Sequence, residues 1–191
     1  MYLFFDTETT GLPKDYQAPI ENLDNWPRLV QIAWLIFDKN GQEIVRYSQI
    51  IKPEGFIIPE QASRIHGITT DKALEKGIAL EQVLQDFNSA LEKNKILIAH
   101  NISFDEKIIQ AEFLRKNIKN NFFEIKKICT KEASTDFCQI PGRFGYKWPN
   151  LAELHQKLFN SDFLDAHDAL ADVQACARCF FALKDRGVIA D

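Results

Sequence analysis

Apolar residues along this chain fall into short runs that carry two different periods. The first run, Tyr2-Leu3-Phe4-Phe5, is continuous and reads as a strand buried on both faces. Val30, Ile32, Ala33, Trp34 and Ile36 predict a second strand over 29–37. Asp38-Lys39-Asn40-Gly41 follows, and Asn-Gly supplies the positive φ values of a tight hairpin. Residues 43–52 alternate as the return strand, so the chain opens with an antiparallel meander.

The period then changes. Leu80, Val83, Leu84, Phe87 and Leu91 recur at helical spacing and predict an amphipathic helix over 80–93. A buried strand at 95–99, centred on Ile96-Leu97-Ile98, leads to Ser103, the expected N-cap of a helix running to about Lys116. A fifth strand is expected over 122–128, a helix over 151–159 and a long last helix over 168–184. Residues 59–68 read as a short helix and turn, with Thr70 or Asp71 capping the next helical segment. Two segments read as loops: 13–27, polar and long enough to suggest a functional role, and 141–149, punctuated by glycine and proline. Strands first, then alternating helix and strand, predict an α/β layered fold. No repeat or linker divides the 191 residues, so a single domain over 1–191 is expected.

Composition narrows the function classes. Hydrophobic residues at 46% and charged residues at 26% suit a soluble globular protein. No apolar run approaches the ~20 residues of a membrane helix, and an acid at position 6 with no basic n-region argues against a signal peptide. The four cysteines are therefore expected as thiols in a cytoplasmic setting. A net charge of −4 disfavours broad polyanion coating, yet leaves room for nucleic acid held locally through bound metal.

The candidate chemistry starts where the first strand ends, at Asp6-Thr7-Glu8. Alternate strand residues share a face, so Asp6 and Glu8 point the same way. The bland alternative is a surface turn carrying two solvated acids. Asp105 follows a strand into a helix start, where interaction with the helix dipole would suffice to explain it. In His167-Asp168-Ala169-Leu170-Ala171-Asp172, Asp168 is the natural N-cap, which leaves His167 and Asp172 unexplained. Taken together, four carboxylates cannot share a pocket unneutralised, and hard oxygen ligands favour Mg²⁺ or Mn²⁺. Two such ions about 4 Å apart suit in-line phosphoryl displacement, and a nearby imidazole suits removal of a proton from the attacking water.

Phe5-Asp6-Thr7-Glu8-Thr9-Thr10-Gly11-Leu12, His100-Asn101-Ile102-Ser103-Phe104-Asp105 and His167 through Asp172 occur in an order that resembles the DEDDh 3′→5′ exonucleases. These belong to the RNase H-like superfamily and include the proofreading (epsilon) subunit of bacterial DNA polymerase III. Ile65-His66-Gly67-Ile68-Thr69 matches a further family segment, and the match spans nearly the whole chain. The resemblance implies a three-layer fold: a mixed five-stranded sheet, three antiparallel strands then parallel ones, flanked by helices. It implies a metal-dependent 3′→5′ exonuclease with two Mg²⁺ or Mn²⁺ ions held by Asp6, Glu8, Asp105 and Asp172. In that pattern Asp6 bridges the ions, Asp105 reaches them through water, and His167 is the general base where a related subgroup has tyrosine. Thr9, Leu12, His66 and Phe104 fall at the family's substrate-contact positions, although packing would equally explain Leu12 and Phe104.

The expected substrate is a single-stranded or frayed 3′ end of DNA, with RNA as the alternative. The family's proofreading subunit has a C-terminal polymerase-binding tail; ending at Asp191, this chain is expected to act without one, and a polymerase partner is not indicated. The competing readings are a catalytically inactive nucleic-acid-binding module on the same fold, and a polymerase-associated proofreading subunit. Cys176 and Cys179 are expected in a buried helix face rather than at zinc. His100 is expected to orient Asn101 and the turn after it, and His155 to lie on a helix surface or in packing. Arg143, Phe144, Tyr146, Lys147 and Trp148 interleave charge and aromaticity in a way that suits a single strand.

Overall fold

The computed structural model describes residues 1–163 and 167–190. Its centre is a five-stranded sheet in the order β3-β2-β1-β4-β5. β1 (Tyr2–Thr9), β2 (Leu29–Phe37) and β3 (Glu43–Ile50) are antiparallel neighbours. β4 (Ile96–Ala99) and β5 (Lys126–Cys129) extend the sheet in parallel on the other side of β1. This is the mixed RNase H-like architecture that the sequence led us to expect.

The period-two alternation of β1 builds both cores. Leu3 and Phe5 pack with Val83 and Phe87 of α3 (Leu80–Lys93) and with Ile108 of α4 (Ile102–Arg115). Tyr2 and Phe4 face the other way, onto Val173 and Phe180 of α8 (Ala169–Asp185). The Phe5–Phe87 and Phe4–Phe180 ring centroids lie 5.5 and 5.3 Å apart. Each of these fully buried rings contributes about 1.5–3 kcal/mol of transfer free energy, so β1 anchors both cores.

Several elements differ from the sequence reading, each for a local reason. α4 starts at Ile102 with Asn101, not Ser103, as N-cap; Asn101 has φ 75°, a left-handed conformation that asparagine tolerates. Thr69 caps α2 (Thr70–Lys76), its hydroxyl accepting from the Lys72 amide at 3.1 Å, while Thr70 instead accepts from the Ile58 amide. α1 (Glu60–His66) precedes it and ends on left-handed Gly67. The expected fifth strand is shortened because Phe122–Glu124 forms a 3₁₀ turn that drives Phe122 into the core, 6.1 Å from Phe5. Two four-residue helices, α5 (Thr130–Ala133) and α6 (Thr135–Cys138), are too short to show a period and were not expected. The 141–149 segment contains a small hairpin of β6 (Pro141–Gly142) and β7 (Gly145–Tyr146), and α7 (Leu151–Phe159) follows behind an Asn150–Glu153 capping box. Among the described residues no helix is long and apolar enough to cross a membrane. Cys176 and Cys179 are buried free thiols, as their helix positions predict.

Candidate active site

β1 outruns β4. Their parallel pairing ends at Phe4↔Ile98, after which β4 leaves the sheet at Ala99 and turns into α4. The last residues of β1 stay paired to β2, as Asp6↔Ala33 and Glu8↔Gln31, but border an open edge on the other side. Asp6 and Glu8 continue the Tyr2–Phe4 face and therefore look toward α8. Asp172, in the first turn of α8, meets them there: one carboxylate oxygen from each of Asp6, Glu8 and Asp172 lies within 4.8 Å of the others.

Asp105 arrives from the opposite layer. Thr7 sits between the two acids and points the other way, so its amide (3.1 Å) and hydroxyl (2.6 Å) both donate to Asp105 Oδ1. Only 3% of Asp105 is exposed, and Thr7 is the group that makes this burial tolerable.

His167 and Asp172 are joined through the backbone. The His167 amide donates to Asp172 Oδ2 at 3.0 Å, and His167 has φ 71°. The adjacent Asp168 caps α8, accepting from the Leu170 and Ala171 amides at 3.0 and 3.2 Å. Gln31, opposite Glu8, donates to Asp168 Oδ2 at 3.2 Å and accepts from the Ala169 amide at 3.4 Å. Thr7 and Gln31 were not singled out from the sequence. A glutamine inside the apolar run 29–37 was the available signal, since a buried amide demands partners. Ala166, which precedes His167 in its motif, lies outside the described residues.

His167, Asp6 and Asp172 line one cleft of about 260 Å³, walled by Leu151 and Phe163. A second cleft, about 550 Å³, is lined by Glu8 together with Thr9, Leu12, His66 and Phe104. Leu12 is 72% exposed there, so packing does not account for it. His66 accepts from the Ile68 amide through Nδ1 at 3.1 Å and buries Nε2 without a partner among the described residues. Burial lowers its pKa, which favours the neutral ring. The other histidines are structural. His100 Nε2 donates to the Pro149 carbonyl and Nδ1 accepts from Thr130, at 3.1 and 3.0 Å, so it ties the end of β4 to the start of α5 and to the segment before α7. Burial brings it down to about 4. His155 is buried, with Nδ1 donating to the Ser161 carbonyl at 2.7 Å.

The acids are electrostatically poised for cations. Burial raises Glu8 to about 8, Asp105 to about 7 and Asp172 to about 6, with repulsion from neighbouring carboxylates adding to each. Asp6 is raised well above its usual value by burial, then by Asp105 and Asp172. Oxygen-only ligands drawn this close fit a hard divalent ion. Each acid binds its proton more tightly folded than unfolded, so metal-free stability should fall as pH rises from about 4, where unfolded carboxylates ionise, to about 8. The metal-free melting temperature is expected to drop by at least ~3 °C across that window, the shift given by ~1 kcal/mol in a chain of this size. Saturating Mg²⁺ should abolish the drop. A flat metal-free profile would contradict this linkage.

Comparison with known proteins agrees with this geometry. Residues 3–180 match the exonuclease family of the RNase T type. The chain is 31% identical over 176 residues to the DNA polymerase III subunit epsilon of Treponema pallidum, covering 92% of this chain and 73% of that protein. It is 32% identical over 118 residues to the PolC-type DNA polymerase III of Mycoplasmopsis pulmonis, of which it spans only 7%. Among solved structures, E. coli exonuclease I in complex with a dT13 oligonucleotide superimposes with a TM-score of 0.76 at 21% identity, over 97% of this chain and 41% of that one.

Proposed function

This chain belongs to the exonuclease family, and from that premise we propose that it removes nucleotides from the 3′ ends of DNA strands, in the DEDDh manner, as one metal-dependent domain. The observation that carries the reading is the meeting of Asp6, Glu8 and Asp172 within 4.8 Å, in a cleft that also holds His167. Two Mg²⁺ or Mn²⁺ ions at Asp6, Glu8 and Asp172, with Asp105 behind them, would supply Lewis-acid stabilisation of the phosphate and a more acidic water. The chain's own residues do the rest. Asp172 holds the His167 backbone, His167 lines the cleft of Asp6 and Asp172, and its imidazole would take the proton of the attacking water. Thr7 keeps Asp105 ionisable by donating two hydrogen bonds to it. The cleft of Thr9, Leu12, His66 and Phe104 would hold the terminal nucleotide, with the exposed Leu12 and the half-buried Phe104 against its base.

DNA is favoured because the relatives are named as DNA polymerase subunits and the superimposed exonuclease I holds a DNA strand. The test is a time course on matched 5′-labelled single-stranded DNA and RNA with Mg²⁺, Mn²⁺ or chelator. A ladder shortening from the 3′ end only with metal, faster on DNA, is expected. Binding without cleavage would instead establish an inactive module. The epsilon name of the Treponema relative also motivates a polymerase-bound role, which co-purification with a polymerase would support.

A further inference from the structure

A third cleft, about 420 Å³, lies on the far side of Phe104 from the Leu12–His66 cleft, and Phe104 lines both. Its walls come from the 13–27 loop, the start of α4 and Trp148. The loop is held in place: Asp15 and Asn25 exchange two hydrogen bonds, and Arg115 donates to the Leu23 and Trp26 carbonyls at 2.6 and 2.7 Å. Trp148 is 61% exposed and Tyr16 is 50% exposed, large aromatic surfaces left open to water at the cleft.

The charges of this cleft are uncompensated. Lys107, one turn beyond Phe104 on the same face of α4, donates to the Tyr16 carbonyl at 2.6 Å and lies 5.1 Å over the Trp26 ring. Lys131 donates to Asn101 Oδ1 and lies 4.4 Å over the Trp148 ring. Both ammonium groups touch neutral oxygens and π faces; among the described residues neither meets a carboxylate. Lys116, Lys127 and Lys147, in contrast, pair with Glu54, Glu106 and Glu153. Two free cations beside open aromatic faces, on a chain of net charge −4, match a phosphodiester anion with an attached base.

We infer that this cleft is a second substrate subsite, taking a nucleotide upstream of the 3′-terminal one, with its phosphate at Lys107 and Lys131 and its base on Trp148. The inference rests on the exonuclease reading, and it gives the 13–27 loop a role as one wall of the strand path. The test is fluorescence anisotropy with 5′-labelled single-stranded DNA, a dinucleotide against a strand of about eight nucleotides, in Ca²⁺ so that binding is read without turnover. The longer strand should bind at least about tenfold tighter, and Trp148→Ala, at an exposed position, should erase about tenfold of that margin. Lys107→Gln, which can still donate to Tyr16, should reduce the salt slope for the longer strand by about 0.7. Equal affinity for both lengths, or variants that keep margin and slope, would overturn the subsite. Release assayed in Mg²⁺ separates the two readings: length-dependent binding without release sinks the exonuclease and leaves the subsite, and release without length dependence does the reverse.

Discussion

Asp6→Asn is expected to lower the rate of 3′-nucleotide release by at least ~10³-fold, equivalent to ~4 kcal/mol of lost transition-state stabilisation. The same substitution should raise the melting temperature of the metal-free protein at about pH 8, where Glu8 still titrates. The two effects have one cause. Asp6 sits at the centre of the carboxylate group, and burial together with Asp105, Asp172 and Glu8 opposes its ionisation. A neutral amide of the same shape removes that repulsion and, with it, the charge that a divalent ion needs. Calorimetry should show weakened Mg²⁺ binding alongside the higher stability. Near-wild-type release by Asp6→Asn would remove this residue from the proposed site. A lower metal-free stability at that pH would mean that Asp6 makes packing contacts outweighing its electrostatic strain.

The second large effect is expected at His167. Replacement by alanine should cost roughly 10²–10⁴-fold in rate, the usual worth of a general base. Mg²⁺ affinity should hardly change, because Asp172 is contacted by the residue 167 amide, which every non-proline substitution keeps. His167→Gly separates chemistry from stability more sharply. Position 167 has φ 71°, which costs an L side chain about 1–2 kcal/mol and glycine almost nothing. That variant should therefore be as inactive as the alanine one while melting ~2–4 °C higher than it. Partial recovery of the glycine variant by added imidazole would assign the loss to the missing ring. An active glycine variant would transfer the proton-accepting role elsewhere in the cleft.

Much of the architecture was legible because its determinants are local. Four apolar residues followed by Asp6 and Glu8 dictate a buried strand that delivers both acids to one face. The Asp38–Gly41 turn, with Gly41 alone at positive φ (80°), closes the hairpin that makes β2 and β3 antiparallel. The 3.6-residue period of 80–93 was read with its observed ends. The order of the three acidic motifs likewise carries the family resemblance within the sequence itself. What local pattern handled poorly were segments whose conformation depends on distant partners. Phe122 looked like a strand residue until Phe5 and Phe87 were seen to provide its pocket. Asn101 caps α4 because a left-handed turn suits the exit from β4, a constraint absent from the local period.

The sequence by itself determined which side chains share a face and which elements carry them, because the two-residue and 3.6-residue periods are properties of adjacent backbone. Only the tertiary structure decided which faces meet. Asp172 lies 166 positions from Asp6, and the two come together because the Phe4 face of β1 buries against Phe180 of α8. Asp105 takes its place through Thr7, 98 positions away, and Gln31 reaches the α8 cap from 137 positions away. The clefts on either side of Phe104 likewise join loops that are remote along the chain. Such meetings follow from how the two cores pack against one sheet, and packing is a property of the whole chain rather than of any window within it.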